Sequence, residues 1–337
     1  MSTLLPTLEP ARRLFTVEPA TREQAPLLIG LTGPAGSGKT YSALRLATGL
    51  ARLAAKSGGS DRIVFIDTET RRSRQYAGAF RFEHLDFAAP YSSQDYLDAL
   101  ETAAERMPAV IILDSLSHEH DGPGGMLDAV GAELDRLAGS DPIQQQKLAA
   151  AAWRRPKTQR RALLARLLTL GCHVIVCMRA QEKNRMPREA GALEPVEMGY
   201  TPVAAPEIMF ELGLCALLKP GAQGVPTWAS QLPGEHAAIK LPRQFEGMFA
   251  RPEPLSEAHG EALARWAIGE EAGPARKAGR RKPQKQTRAR AKVIAPALAI
   301  PRVSSETRSS QQRADAGIRA EAPDAAAPAQ PTEAINA

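Results

Sequence analysis

Cysteine is scarce in this chain, and its spacing argues against two kinds of small protein. The three cysteines, Cys172, Cys177 and Cys215, form no Cys-x-x-Cys pair and are odd in number. A disulfide framework uses an even set of cysteines, and a zinc knuckle uses closely spaced ligands. The pattern therefore favours free thiols in a reducing compartment such as the cytoplasm.

Long apolar runs are also missing. No uncharged apolar stretch reaches the roughly 20 residues of a membrane helix. The amino terminus lacks the basic start and apolar centre of a signal peptide. We therefore expect a cytoplasmic protein without a membrane partner. Aromatic residues make up only 5% of the chain, but 43% of its residues are hydrophobic, so a core can form.

Charge is unevenly distributed along the chain. Residues 272–337 contain 13 Lys and Arg against 5 Asp and Glu, a balance of +8, whereas the whole chain carries +6, which leaves −2 for residues 1–271. The first 21 residues of this basic stretch hold nine basic residues and no acid. Such a composition buries too little apolar surface to offset the entropy of ordering. The chain is therefore predicted to have an arm (1–26), a folded domain (27–270) and a disordered basic tail (271–337).

Short apolar runs alternate with helical patterns over the predicted domain. Runs of five or six apolar residues that end at glycine or an acid indicate buried strands, and apolar residues at helical spacing fill the intervals. Strands are predicted at 27–32, 62–67, 109–114, 173–178 and within 207–218, and helices at 40–56, 92–106, about 125–138, 143–170 with an interruption at Pro156, and 259–268. The alternation predicts an α/β fold with a mostly parallel sheet and helices on both faces.

A glycine-rich loop joins the first predicted strand to the first predicted helix. It has the P-loop pattern, in which glycines let backbone N–H groups converge on phosphate oxygens at a helix start. Lys39 is expected to reach the β- and γ-phosphates of ATP, and the Thr40 hydroxyl is expected to bind Mg²⁺. The flanking strand and helix argue against a chance match. The predicted nucleotide-binding residues are Gly33, Pro34, Ala35, Gly36, Ser37, Gly38, Lys39 and Thr40.

Two other strand ends supply carboxylates. Asp114 ends the strand at 109–114, in the position of the Walker B acid that holds Mg²⁺. Hydrolysis also needs a group that orients the attacking water, and many P-loop ATPases use a Glu directly after that acid. Here the next residue is Ser115, so Glu69, just past the strand at 62–67, is predicted to take this role, with Glu119 as second choice. The pattern thus predicts a Mg²⁺-dependent ATPase.

Two further charged segments can be interpreted either as functional sites or as ordinary solvent-exposed surface. His118, Glu119, His120 and Asp121 look like metal ligands, but their spacing is not that of a helical zinc motif, and a solvated loop is favoured. Residues 142–170 contain seven Lys and Arg and no acid. This segment is either a nucleic-acid surface or a solvated helix face, and the solvated face is slightly favoured.

The order of these motifs resembles that of the RecA-like ATPases. The P-loop is followed by a strand ending in Asp-x-Glu and then by a strand ending in Asp-Ser. More narrowly, residues 114–128 and 173–183 are similar to a family of phage and prophage AAA-type ATPases, and the resemblance spans about residues 25–270. It implies a RecA-like P-loop NTPase fold, ATP hydrolysis and a homo-oligomer in the host cytoplasm. By association it implies a DNA partner, with single strands favoured, in phage recombination, replication or repair.

The resemblance also implies roles for residues beyond the P-loop. A γ-phosphate sensor is expected at Arg179 or Gln181, after the fourth strand. The loop from Lys183 to Tyr200 is expected either to face DNA or to be an ordinary mobile loop. In the first case its nucleic-acid contacts are Lys183, Arg185 and Arg188, with Tyr200 stacking on a base; a residue acting on a neighbouring subunit is placed at Lys240 or Arg243.

Two other functions fit the nucleotide motif. A nucleotide-gated loader or regulator would bind a protein partner and show no DNA-stimulated turnover. A small-molecule kinase is disfavoured because no arginine-rich lid is evident.

Overall fold

A computed structural model describes residues 16–20, 25–186 and 195–270. The predicted tail, most of the predicted arm and Arg188 lie outside the described residues.

The centre of the fold is a mostly parallel sheet. Its strands are β1 (Leu28–Gly33), β2 (Ile63–Asp67), β3 (Glu83–Asp86), β4 (Val110–Asp114), β5 (His173–Arg185), β6 (Val196–Pro202) and β7 (Leu214–Leu217). Their order is β3-β2-β4-β5-β1-β7, and each of these neighbours runs parallel. Strand β6 pairs antiparallel with the far half of β5. Because β1, β2, β4 and β5 are parallel, their carboxyl ends meet at one edge of the sheet.

Helices cover both faces of this sheet. They are α1 (Lys39–Lys56), α2 (Ser93–Ala104), α3 (Ser117–Asp121), α4 (Met126–Ala138), α5 (Pro142–Ala152), α6 (Arg154–Thr169), α7 (Pro206–Glu211), α8 (Arg243–Glu246) and α9 (Glu257–Ala267). One buried cluster joins α1 and α9 to the sheet, and a second joins α2 and α6 to its opposite face. The predicted RecA-like α/β architecture is therefore confirmed.

Helices α1 and α9 cross at two glycines. A Cβ at Gly49 would clash with the carbonyl oxygen of Glu257, and a Cβ at Gly260 would clash with that of Leu46. Larger residues at these positions would force the helices apart. The close crossing fixes the long helix that follows the P-loop against the end of the domain.

Two predicted segments of regular structure differ in detail from the structure. The break within 143–170 falls at Trp153, not at Pro156. Pro156 lies in the first turn of α6, where a backbone N–H has no partner within the helix and proline is tolerated. Within 207–218, only Leu214–Leu217 is a strand, because α7 occupies the first part.

The predicted loop from Lys183 to Tyr200 is largely a β-hairpin. Strand β5 continues past the sheet edge to Arg185, and β6 returns beside it with Gln181 opposite Thr201. Residues 187–194, between these strands, lie outside the described part of the chain.

The prediction of a solvated loop at 118–121 is wrong. These residues belong to α3, and Glu119 is fully buried.

Among the described residues, no helix is long and apolar enough to cross a lipid bilayer.

Candidate active site

The glycine-rich loop lies at the sheet edge, between the end of β1 and the start of α1. Gly36 and Gly38 have φ values of +76° and +92°, a left-handed conformation that glycine adopts without a steric penalty. Gly33 lies so close to the carbonyl oxygen of Leu218 that a Cβ would clash with it. Glycine is therefore needed at these positions for the loop to curl ahead of the helix, and the helix amino end adds a partial positive charge.

Lys39 is folded back over this loop. Its ammonium group donates hydrogen bonds to the carbonyl oxygens of Gly33 (2.9 Å) and Pro34 (2.8 Å). The side chain is buried, and burial lowers the pKa of Lys39. The Ser37 hydroxyl is also buried, and it has no hydrogen-bond partner among the described residues. A buried ammonium group and an unpaired buried hydroxyl suit a loop that receives anionic oxygens.

Asp114 brings a carboxylate to the start of α1. The Thr40 hydroxyl donates a hydrogen bond of 2.5 Å to its Oδ2 atom. Burial raises the pKa of Asp114 to about 6, although Thr40 and Lys39 both favour the ionised form. No group of three or more His, Cys, Asp or Glu within the described ranges could hold a metal ion alone. A hydroxyl and one carboxylate fit Mg²⁺ that takes its other ligands from phosphate and water.

Glu69 lies just beyond β2, next to the Asp114 strand. Arg179 donates to the Glu69 carboxylate over 3.3 Å, and Arg72 lies 3.9 Å from it. The pairing of the strands explains why Glu69 and Arg179 lie close to the P-loop and Asp114. Asp67, at the end of β2, pairs with Asp114 at the end of β4, and Arg179 on β5 pairs with Gly33 at the end of β1. The sequence-predicted Lys39, Thr40, Asp114, Glu69 and Arg179 thus converge at one edge of the sheet.

These groups line an open cleft of about 560 Å³. Its walls also include Tyr41, Arg72, Gln75 and Tyr76, none of which was predicted from the sequence. Tyr41 contacts Tyr76, with ring centroids 5.8 Å apart. These rings give the cleft an aromatic wall in addition to its charged groups.

The aromatic wall depends on a turn that has little sequence signal. A 3₁₀ turn over Arg72–Tyr76 follows β2, and the buried Asp67 carboxylate holds it by accepting from the Ser73 backbone N–H (2.9 Å) and hydroxyl (2.5 Å). In the sequence, the aromatic wall is indicated only by the positions of Tyr41, next to the P-loop, and Tyr76, a few residues after Glu69.

Other predicted residues lie elsewhere. Glu119 accepts two hydrogen bonds from Arg160, of 2.9 and 2.7 Å, and one from Ser93 of 2.6 Å. Glu119 was the second candidate for orienting the attacking water. Because both of its carboxylate oxygens are hydrogen-bonded in the core, it is not available for that role. Gln181 is exposed on the hairpin and is absent from the cleft lining, whereas Arg179 is part of it.

The predicted nucleic-acid and intersubunit residues are spread over the surface. Lys183 and Arg185 are exposed on β5, and Tyr200 lies opposite Glu182 on β6. Lys240 donates to the carbonyl oxygen of Phe210 over 2.9 Å, and Arg243 begins α8.

Comparison with known protein families gives a match to the part of the chain that contains the P-loop, Glu69, Asp114 and Arg179. The model of a family described as an AAA domain matches residues 25–205, which is more than half of the sequence. No curated protein matches the chain.

Proposed function

Because this chain belongs to the AAA domain family, a P-loop ATPase family, we propose that it binds Mg·ATP in the cleft at the end of β1 and hydrolyses it. The observation that carries this proposal is the meeting of three groups at one sheet edge: the Lys39 ammonium on the glycine loop, the Thr40 hydroxyl and the Asp114 carboxylate. Each supplies a function that nucleotide binding requires.

The loop residues bind the phosphates of the nucleotide. Backbone N–H groups around Gly36 and Gly38 and the start of α1 donate to phosphate oxygens. Lys39 exchanges its two loop carbonyls for phosphate oxygens, and the charge-assisted hydrogen bonds so formed are the stronger ones. Thr40 and Asp114 would hold the magnesium ion, which neutralises phosphate charge when bound.

Glu69 orients the attacking water. Its carboxylate lies on the same cleft as Lys39 and Asp114. Arg179 contacts it from β5 and also faces the cleft, so one arginine is in reach of both the carboxylate and the incoming anion. This arrangement supports a sensor role for Arg179 rather than for Gln181.

The aromatic wall is suited to the nucleobase. Tyr41 and Tyr76 extend the cleft beyond the P-loop with flat, polarisable surface. Aromatic faces bury and stack on a base without strong sequence preference. We assign the adenine to this wall.

The work that ATP supports is proposed to be on single-stranded DNA, in phage recombination, replication or repair, by a homo-oligomer. Support comes from the exposed Lys183 and Arg185 on the hairpin. The hairpin pairing begins at Ala180, directly after Arg179, which contacts Glu69. The hairpin and a residue of the nucleotide cleft therefore lie on one strand. The competing role is that of a loader or regulator whose ATP state controls a protein partner.

ATP turnover with and without nucleic acid separates these roles. Single-stranded DNA is expected to raise the rate of ATP hydrolysis, and replacing Lys183 and Arg185 by Ala is expected to weaken this stimulation while the basal rate stays. Replacing Lys56 and Arg81 by Ala, which removes two exposed basic side chains away from the hairpin, is the matched control for two lost surface charges. An ATPase rate unaffected by DNA or RNA would reject the DNA role and favour the loader.

A further inference from the structure

A histidine on α3, His118, lies beside the carboxylate of Glu69. His118 lies four residues after Asp114, and its Nε2 atom is 3.9 Å from the Glu69 Oε1 atom. Its other nitrogen, Nδ1, is 2.7 Å from the Thr68 hydroxyl. Thr68 directly precedes Glu69, so the imidazole lies beside the carboxylate and is hydrogen-bonded to the side chain of the residue before it.

The ring packs against an aromatic neighbour, and the residues on either side of His118 are anchored. It stacks on Tyr91 with a centroid distance of 4.8 Å and an interplanar angle of 17°. The next residue, Glu119, is anchored in the core by Arg160 and Ser93. The preceding Ser117 accepts a hydrogen bond from the backbone N–H of Arg179 over 2.8 Å. These contacts hold the helix turn that bears His118.

The hydrogen bonds of Thr68 and the position of Glu69 together favour one tautomer of the His118 ring. The Thr68 hydroxyl oxygen accepts from the backbone N–H of Ser115 over 2.7 Å, which leaves its own hydrogen for an acceptor. The nearest acceptors are Nδ1 of His118 at 2.7 Å and the Ser115 carbonyl at 3.1 Å. Burial and Arg179 lower the pKa of His118, although Glu69 and Asp121 oppose this shift, so the neutral ring is favoured. A carboxylate beside Nε2 favours the tautomer that carries its hydrogen there.

We propose that His118 is a positioning residue for Glu69, toward which it directs its Nε2–H group beside Oε1, the same carboxylate oxygen that Arg179 contacts. The inference rests on the proposed hydrolysis of ATP with Glu69 as the water-orienting group. It adds a reason for the contact: Glu69 keeps a donor beside Oε1 when Arg179 turns to a bound phosphate.

Two amide substitutions separate the two nitrogens of the ring. In His118→Asn the amide lies where Nδ1 was, so it keeps the Thr68 contact and loses the group that faces Glu69. In His118→Gln the amide reaches the position of Nε2. We expect His118→Asn to lower kcat by about tenfold, because a misplaced catalytic group loses the benefit of orientation. KM for ATP should stay within about twofold, and His118→Gln should recover most of the rate.

A neighbouring histidine provides the matched control. His120 lies on the same helix turn but contacts Arg160, at 3.4 Å, and not Glu69. His120→Asn makes the same change of residue and is expected to keep the wild-type kcat.

A double variant tests whether His118 acts through Glu69. If it does, His118→Asn added to Glu69→Gln should lower the residual single-turnover rate no further. Equal loss in His118→Asn and His118→Gln, or a further loss in the double variant, would overturn the inference.

The failure of this inference differs from failure of the proposed function. If the Glu69→Gln variant loses turnover but the His118→Asn variant keeps the full rate, only the positioning role of His118 is rejected. No ATP turnover by the wild type rejects both.

Discussion

At the scale of single residues, Glu69 is defined by the groups that surround it. Arg179 and Arg72 approach its carboxylate from the cleft, and its backbone N–H donates to the buried Asp67 over 2.9 Å. A carboxylate held in this way, at the edge of an anion-binding cleft, can orient a water molecule without contributing to phosphate affinity.

Glu69→Gln should therefore separate binding from hydrolysis. The amide keeps the shape of the side chain but is a poor acceptor for a proton of the attacking water, so turnover is expected to fall by about 100-fold or more. Affinity for ATP should be retained or slightly increased, since one negative charge near the phosphates is lost. Steady-state turnover and equilibrium titration on the same preparation measure both quantities, and unchanged turnover would assign the water to another group.

The sequence predicted the members of the site that lie in strand-and-loop motifs better than those that lie on short turns. Lys39, Thr40 and Asp114 lie at fixed places in strand-and-loop motifs, and parallel pairing brings such strand ends together. Tyr76 and His118 lie on short turns whose direction depends on tertiary contacts, with Asp67 in one case and Glu119 in the other. No local pattern encodes such contacts.

At the scale of elements, α6 is joined to the fold by two arginines in very different surroundings. The Arg160–Glu119 pair is almost fully buried, with exposed side-chain fractions of 5% and 0%. The Arg166–Glu101 pair has the same two-bond geometry, but its side chains are 26% and 51% exposed. The two pairs therefore offer an internal comparison of buried and exposed ion pairs.

Arg160→Met should lower the free energy of unfolding by about 3 kcal/mol or more, because it leaves the Glu119 charge buried without its partner. Arg166→Met, the matched control on the same helix, should cost less than about 1 kcal/mol. Urea unfolding of the two variants measures the difference. Equal losses would show that burial does not distinguish the pairs.

The start of β5 is expected to make stability depend on pH. Burial lowers the pKa of His173 to about 4, and its Nδ1 atom accepts the backbone N–H of Leu27 over 3.0 Å. The unfolded chain takes up a proton on this histidine at a higher pH than the folded chain. The stabilisation is therefore present above about pH 6.5 and is lost as the pH falls toward 4.

His173→Gln should remove this dependence. Between pH 7 and pH 5 the wild type is expected to lose about 2 kcal/mol of unfolding free energy to this group, and the variant should lose less by that amount. Unfolding curves at the two pH values test this. Parallel losses in both proteins would assign the pH dependence to other groups.

Element types followed from sequence wherever the pattern was long and apolar. The buried strands β1, β2 and β4 were predicted to within one residue at each end, because each is a continuous apolar run. Strand β3, Glu-His-Leu-Asp, was not predicted, because an edge strand with polar residues lacks such a run. The hairpin of β5 and β6 was also missed, since its exposed half resembles a polar loop.

At the scale of the whole molecule, charge is divided between a nearly neutral domain and a basic terminal segment. The 13 Lys and Arg of residues 272–337 exceed its 5 acids, whereas the rest of the chain carries −2. Such a segment adds affinity for any polyanion through release of counterions, with little sequence information.

A chain that ends at Glu270 should therefore bind ATP as the full chain does but bind single-stranded DNA more weakly at low salt. The logarithm of its DNA affinity should also fall less steeply with the logarithm of salt concentration. Fluorescence anisotropy with a labelled oligonucleotide measures both effects. Identical slopes for the two chains would assign the contacts to the folded domain, and a truncated chain that does not fold would reject the boundary.

Titration calorimetry with ATP and Mg²⁺ tests the central claim most directly, on the wild type and on Lys39→Ala. The wild type is expected to take up about one nucleotide per chain. Loss of the ammonium group should weaken binding by roughly 10- to 100-fold, as expected for charged hydrogen bonds. Heat of binding that is absent from the wild type, or equal in the two proteins, would contradict nucleotide capture by this loop.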